Sequence, residues 1–94
     1  MMLVTLKIYY YDVFGEGRIK MDLRDGATLS NLFNQLQDMY GNAFKNKTGR
    51  DLMKDLNNTF IVFVNGTRIS VPSDLGHVLR SEDEIVFVRP VSGG

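Results

Sequence analysis

At 94 residues the chain has room for one small hydrophobic core and not two, which argues against a self-contained enzyme with a deep cleft of its own. Its 44% hydrophobic content and its 11 basic against 11 acidic residues describe a folded chain without the net field that attracts nucleic acid or an anionic membrane. The absence of cysteine excludes disulfides, thiolate metal sites and any persulfide or thioester carried by the chain itself, so sulfur chemistry would need a second protein. The opening "MMLVTLKIYYYD" lacks a signal-peptide pattern and no apolar run reaches membrane-spanning length, so the expected location is the cytoplasm.

From Val4 to Tyr10 the residues Val4, Leu6, Ile8 and Tyr10 alternate with a second set, the period of a half-buried strand. After the turn-rich "DVFGEG", the segment "RIKMDLR" repeats the alternation with Ile19, Met21 and Leu23 inward, and the pair predicts an antiparallel hairpin. "DGATLSNLFNQLQDMYG" changes to helical spacing, with Leu29, Leu32, Phe33, Leu36, Met39 and Tyr40 on one side, Thr28 as N-cap and Gly41 as the terminating cap. Between Asn42 and Asn58, "KNKTGR" reads as a polar loop and "DLMKDL" as one or two helical turns. Phe60 to Val64 reads as a strand, followed by an Asn65-Gly66 turn and a short return strand. "LGHVLRSEDE" reads as a turn of helix entering an acidic turn, and Ile85 to Val88 as the last strand, ended by Pro90. The order β-β-α-β-(β)-β, with one main helix across one mixed sheet, is an α+β roll.

One helix covers one face of a sheet, yet in Phe60 to Val64 and in Ile85 to Val88 both parities are apolar. Either the "DLMKDL" turn covers the second face or those side chains form a patch for a partner. Beside that patch the chain ends in "RPVSGG". Six residues from Arg89 to Gly94 span roughly 20 Å when extended, enough to enter a partner's active site. Gly93 and Gly94 lack Cβ atoms, so the end passes a narrow channel and its acyl carbon is unhindered. A terminal carboxylate, with a reference pKa of about 3.3–3.7, is a poor electrophile until adenylation with ATP supplies a leaving group. Persulfide sulfur would then give a thiocarboxylate, and a lysine amine would give an amide.

The stretches "LVTLKIYY", "DGATLSNLFNQL", "FIVFVNGTRI" and, above all, "LRSEDEIVFVRPVSGG" resemble the ubiquitin-like β-grasp proteins, and within them the MoaD/ThiS group. That group includes the small subunit of molybdopterin synthase and the thiamine sulfur carrier. The resemblance implies a β-grasp domain over residues 1–88 and an extended tail over 89–94. It further implies a sulfur carrier, not an enzyme, whose Gly94 carboxylate a ubiquitin-activating-type adenylyltransferase activates with ATP and a sulfurtransferase converts to a thiocarboxylate. The sulfur would pass to a molybdopterin synthase large subunit or another acceptor. Gly93, Ser92, Val91 and Pro90 would be the inserted tail, with Arg89 at its root. Phe63, Val86 and Val88 would contact the partner, while Ile85 and Phe87 enter the core. No stably bound cofactor is implied. The alternatives are a modifier conjugated through Gly94 to lysines of target proteins, and a non-covalent β-grasp binding module. Two departures from the family pattern stand out: Asn42 to Asn58 has no family signature, and "RSEDE" lacks the glycine common in the turn before the last strand.

Other signals read as structural. His77 is the one histidine and has no companion ligand. Glu82, Asp83 and Glu84 read as a solvated turn rather than a cation site. "KNKTGR" with Phe44 reads as a loop rather than an RNA contact.

Overall fold

A computed structural model describes residues 1–8 and 17–89. Seven elements follow in order: β1 (Met2–Ile8), β2 (Arg18–Leu23), α1 (Leu29–Thr48), α2 (Leu52–Asn58), β3 (Ile61–Val64), β4 (Thr67–Ile69) and β5 (Glu84–Val88). The five strands form one mixed sheet in the order β2-β1-β5-β3-β4. The fold is the expected α+β roll, a ubiquitin-like β-grasp.

The alternation in β1 and β2 is obeyed. Val4, Leu6, Ile8, Met21 and Leu23 are buried, and the two strands pair antiparallel from Met2 opposite Leu23 to Lys7 opposite Arg18. Tyr9, Tyr10 and most of the predicted turn lie outside the described residues. Gly17, at the near end of that turn, has φ +80°, and a Cβ there would approach the Ile8 carbonyl oxygen to 3.0 Å, so the position suits glycine on both counts. β5 runs parallel to β1 and antiparallel to β3, which places it in the centre of the sheet.

Thr28 caps α1 as predicted: its hydroxyl accepts from the Asn31 amide at 3.3 Å, and Asn31 Oδ1 accepts in return from the Thr28 amide at 2.9 Å. Gly41, expected to end the helix, lies inside it, and a Cβ there would strike the Gln37 side-chain amide. The helix runs on because Phe44 continues the stripe of Leu36 and Tyr40 at helical spacing and is fully buried. Lys45, Lys47 and Thr48 of the predicted loop are therefore helical, and Phe44 is a core residue. Gly49 supplies the left-handed cap at φ 74°, its amide donating to the Lys45 carbonyl at 2.8 Å. Met39, placed on the buried side by spacing, is 53% exposed.

Asp51 caps α2, accepting from the Lys54 amide at 3.1 Å. Leu52 and Leu56 enter the same core as Leu32, Phe33 and Leu36, so α2 lies with α1 and does not cover the second sheet face. At the core's centre Phe87 stacks near Phe33 (ring centroids 5.8 Å apart) and meets Phe60 edge-on at 6.1 Å. The helical turn expected after Leu75 is absent. Residues 71–76 form turns, and Val78 makes an isolated bridge to Thr28.

One ion pair ties the connection between α1 and α2 to a buried carboxylate of α2. Asp55 is 2% exposed and accepts two bonds from the Arg50 guanidinium, at 2.9 and 2.8 Å, and one from the Thr59 hydroxyl at 3.2 Å. The Arg50 hydrogen bonds hold the Asp55 pKa below its ordinary value against the opposing effect of burial, with Thr59 and the charges of Arg50 and Arg89 adding to them. A carboxylate so depressed contributes stability above its unfolded pKa, near 3.9, that is lost as pH falls through the folded value. Arg50→Ala strands this carboxylate. We expect a loss of about 3 kcal/mol at pH 7, the lower end for a broken buried pair because Arg50 is half exposed. Urea unfolding from pH 7 to pH 3 should show the gap from wild type closing in acid; a gap independent of pH would contradict this assignment.

Candidate functional site

Among the described residues no helix or strand covers the second sheet face. Ile61, Phe63, Val86 and Val88 are half-buried and take no part in the core cluster or in the shell packed against it. Their neighbours Val62, Val64, Ile85 and Phe87 point the other way and are buried. Strand alternation thus divides two wholly apolar strands into a core-facing set and an outward set.

Strand pairing assembles the outward set into a patch. Phe63 lies opposite Val86, and Ile61 opposite Val88, across the antiparallel β3/β5 ladder. One row crosses the whole sheet: Arg18 pairs with Lys7, Lys7 with Val86, Val86 with Phe63, and Phe63 with Arg68. The apolar centre is therefore framed by cations on both sides. The adjacent row runs from Lys20 through Thr5 to Glu84, and Lys7 Nζ reaches Glu84 at 3.2 Å.

The end of β5 connects this patch to the end of the chain. Among the described residues Val88 is the last that is paired, and Arg89 follows it exposed, its charge acting on Asp55. Pro90, Val91, Ser92, Gly93 and Gly94 lie outside the described residues. Phe63, Val86, Val88 and Arg89 are thus brought together toward the C-terminal end of the central strand.

The start of β5 is fixed by a polar cluster. Asp83 is 8% exposed, accepting from Asn65 Nδ2 at 2.7 Å and from the Arg80 amide at 2.8 Å, while Asn65 Oδ1 accepts from the Glu84 amide at 2.9 Å. The acidic turn is therefore not simply solvated, since its middle carboxylate locks the β3-β4 turn to β5. Glu82 holds φ +69°, the left-handed position a glycine would take without strain, and its amide donates to the Leu3 carbonyl at 2.7 Å. His77 is half-buried, and its carbonyl accepts from the Leu29 amide at 2.9 Å. Among the described residues no group of three or more His, Asp or Glu side chains is placed to hold a metal ion, and no helix is long and apolar enough to cross a membrane.

The sequence reading missed the cationic frame. In the sequence Arg18 and Lys20 only alternate with the inward residues Ile19 and Met21, and Arg68 only falls in the short return strand after Asn65-Gly66. Only the strand order brings them to the two sides of one apolar strip.

Comparison with known proteins follows from this geometry. The model of the ThiS family matches residues 10–94. SAMP1 from Haloferax volcanii superposes with a TM-score of 0.70 at 21% identity, over 98% of this chain and 99% of that one. The small archaeal modifier protein 1 (SAMP1) from Methanosarcina acetivorans gives 0.68 at 23% identity, over 100% and 98%. A chain from the complex of subunits 1 and 2 of molybdopterin-converting factor from Helicobacter pylori gives 0.61 at 20% identity, over 99% and 100%. No individually curated protein matches by sequence at a significant level.

Proposed function

Because the chain belongs to the ThiS family, we propose that it is a ubiquitin-like sulfur carrier whose Gly94 carboxylate is adenylated and converted to a thiocarboxylate. The observation that carries this reading is the family match, which extends across the whole C-terminal segment to Gly94. In this reading a carboxylate oxygen of Gly94 attacks the α-phosphorus of ATP in a partner adenylyltransferase and pyrophosphate leaves. A persulfide of a sulfurtransferase then attacks the acyl carbon and AMP departs with the oxygen. Cleavage of the sulfur–sulfur bond by a reducing thiol leaves the thiocarboxylate on Gly94. The chain supplies no cysteine to this sequence, which fits a carrier that receives its sulfur from outside.

The body's role is to dock. Phe63, Val86 and Val88 present the apolar strip beside Arg89, and residues 90–94 enter the partner. The molybdopterin-converting factor subunit of Helicobacter pylori is seen with its subunit 2. By analogy we propose a large synthase subunit as sulfur acceptor, in molybdenum cofactor biosynthesis. The similarity to proteins named archaeal modifiers favours a second reading, conjugation of Gly94 to lysines of target proteins. Both readings share the adenylation step. The test is ATP–pyrophosphate exchange by the adenylyltransferase from the same cells. Exchange dependent on this chain supports the carrier class, and none with enzyme proven active on its own substrate returns the chain to a non-covalent binding module.

A further inference from the structure

The chain carries equal numbers of acidic and basic residues, but its open face does not. The outward strand positions of the described residues hold Lys7, Arg18, Lys20 and Arg68 against Asp22 and Glu84. Among the described residues, the ion pairs engage Lys7 and Arg50 but not Arg18, Lys20 or Arg68. Arg68, exposed and opposite Phe63, has a second property: it also lines a cleft of about 440 Å³ at the β4 edge. That cleft is continuous with the apolar strip through Ile61, and its polar walls beside Arg68 include Asn58 and Ser70, while the Thr59 hydroxyl already donates to Asp55 and the Asn57 amide nitrogen to the Met53 carbonyl. Arg68, with the Asn58 amide and the Ser70 hydroxyl lining the same cleft, offers charged and neutral donors to a carboxylate.

We propose that the open face docks a protein surface that is apolar at its centre and bears carboxylates at both margins, one of them entering the cleft beside Arg68 and the others facing Arg18 and Lys20. This rests on the carrier reading and specifies the chemistry of the partner that reading requires. The apolar strip alone would bind in many orientations. Cations on both sides of it set the rotation of the partner about the strip, and with it the direction in which residues 89–94 meet the partner's active site. Exposed charges of this kind act mainly on encounter rate and orientation, and salt screens them over about 8 Å at physiological ionic strength.

The experiment is ATP–pyrophosphate exchange by the same adenylyltransferase at low and high salt, with the chain as varied substrate. Arg68→Glu and the double variant Lys20→Glu with Arg18→Glu should each raise KM by about tenfold at low salt with kcat unchanged, and less at high salt. Arg68→Gln should fall between wild type and Arg68→Glu. Lys47→Glu, on the last turn of α1 in the other layer, makes the same change in net charge as Arg68→Glu and should leave KM unaltered. Circular dichroism melting identifies any variant that has lost its fold. Equal effects from Lys47→Glu and Arg68→Glu, or no effect from the face variants while a residue added after Gly94 still abolishes exchange, would overturn the docking assignment and leave the carrier reading standing. Failure of the wild-type chain to support exchange at all would overturn both.

Discussion

Adding one residue after Gly94 is expected to abolish adenylation while leaving the melting temperature unchanged. The addition moves the reacting carboxylate by about 3.3–3.6 Å along the chain, and a misplacement near 1 Å already costs about 100-fold in a positioned reaction. Gly94→Ala is a milder form of the same test. It keeps the chain length but puts a methyl group next to the acyl carbon, where steric access is the proposed reason for glycine, and should reduce exchange by about 100-fold. Neither variant changes a described core residue, all of which lie before Arg89. Exchange at wild-type rates by both variants would mean that the end of the chain is not the reacting group.

The second large effect separates stability from docking within one patch of sheet. Phe87 is fully buried on the central strand, near Phe33 and Phe60, and Phe87→Ala should cost about 3–5 kcal/mol, lowering the melting temperature by about 15 °C or more. Phe63 lies on the neighbouring strand but faces outward, opposite Val86. Phe63→Asp removes no core contact, so its cost to folding should stay within about 1 kcal/mol. Its effect belongs on the partner. Loss of an aromatic at the centre of a docking strip, at about 2 kcal/mol, raises KM about 30-fold. Thermal melts and exchange kinetics on the two variants check this division. A Phe63→Asp chain that melts like wild type and also docks like wild type would remove the open face from the site.

Most of the fold was legible because its strands are regular. β1 and β2 alternate strictly, and the Asn65-Gly66 turn marks the next hairpin. Gly41 was misread for a local reason: a glycine that ends a helix and one tolerated inside it look alike until the residues beyond are weighed. Phe44, four places past Tyr40 and eight past Leu36, was the available signal that the buried stripe continues. Met39 stands near the edge of that stripe and is 53% exposed. The segment around His77 has no periodicity to read, because its place is set by long-range bonds such as Leu79 to Ala27 at 2.9 Å. The two-sided apolar strands told that something was unusual about β3 and β5. What they could not tell was which layer α2 joins, since Leu52 and Leu56 would serve either face equally well as a pattern.

The site was legible in its apolar part and hidden in its charged part. Phe63, Val86 and Val88 follow from alternation once one parity is assigned to the core. Arg18 and Arg68 are fifty residues apart in the chain, and their common row exists only because β1, β5 and β3 stand between their strands.

In the carrier reading proposed above, Gly94 carries sulfur. The most direct measurement is the intact mass of the chain after incubation with ATP, the adenylyltransferase, a persulfide-bearing sulfurtransferase and a thiol reductant. A sulfur-carrying Gly94 should give a gain equal to the difference between a sulfur and an oxygen atom, located at Gly94 by fragmentation and absent from the chain extended by one residue. An unchanged mass, under conditions in which the same enzymes load a proven carrier, would contradict it.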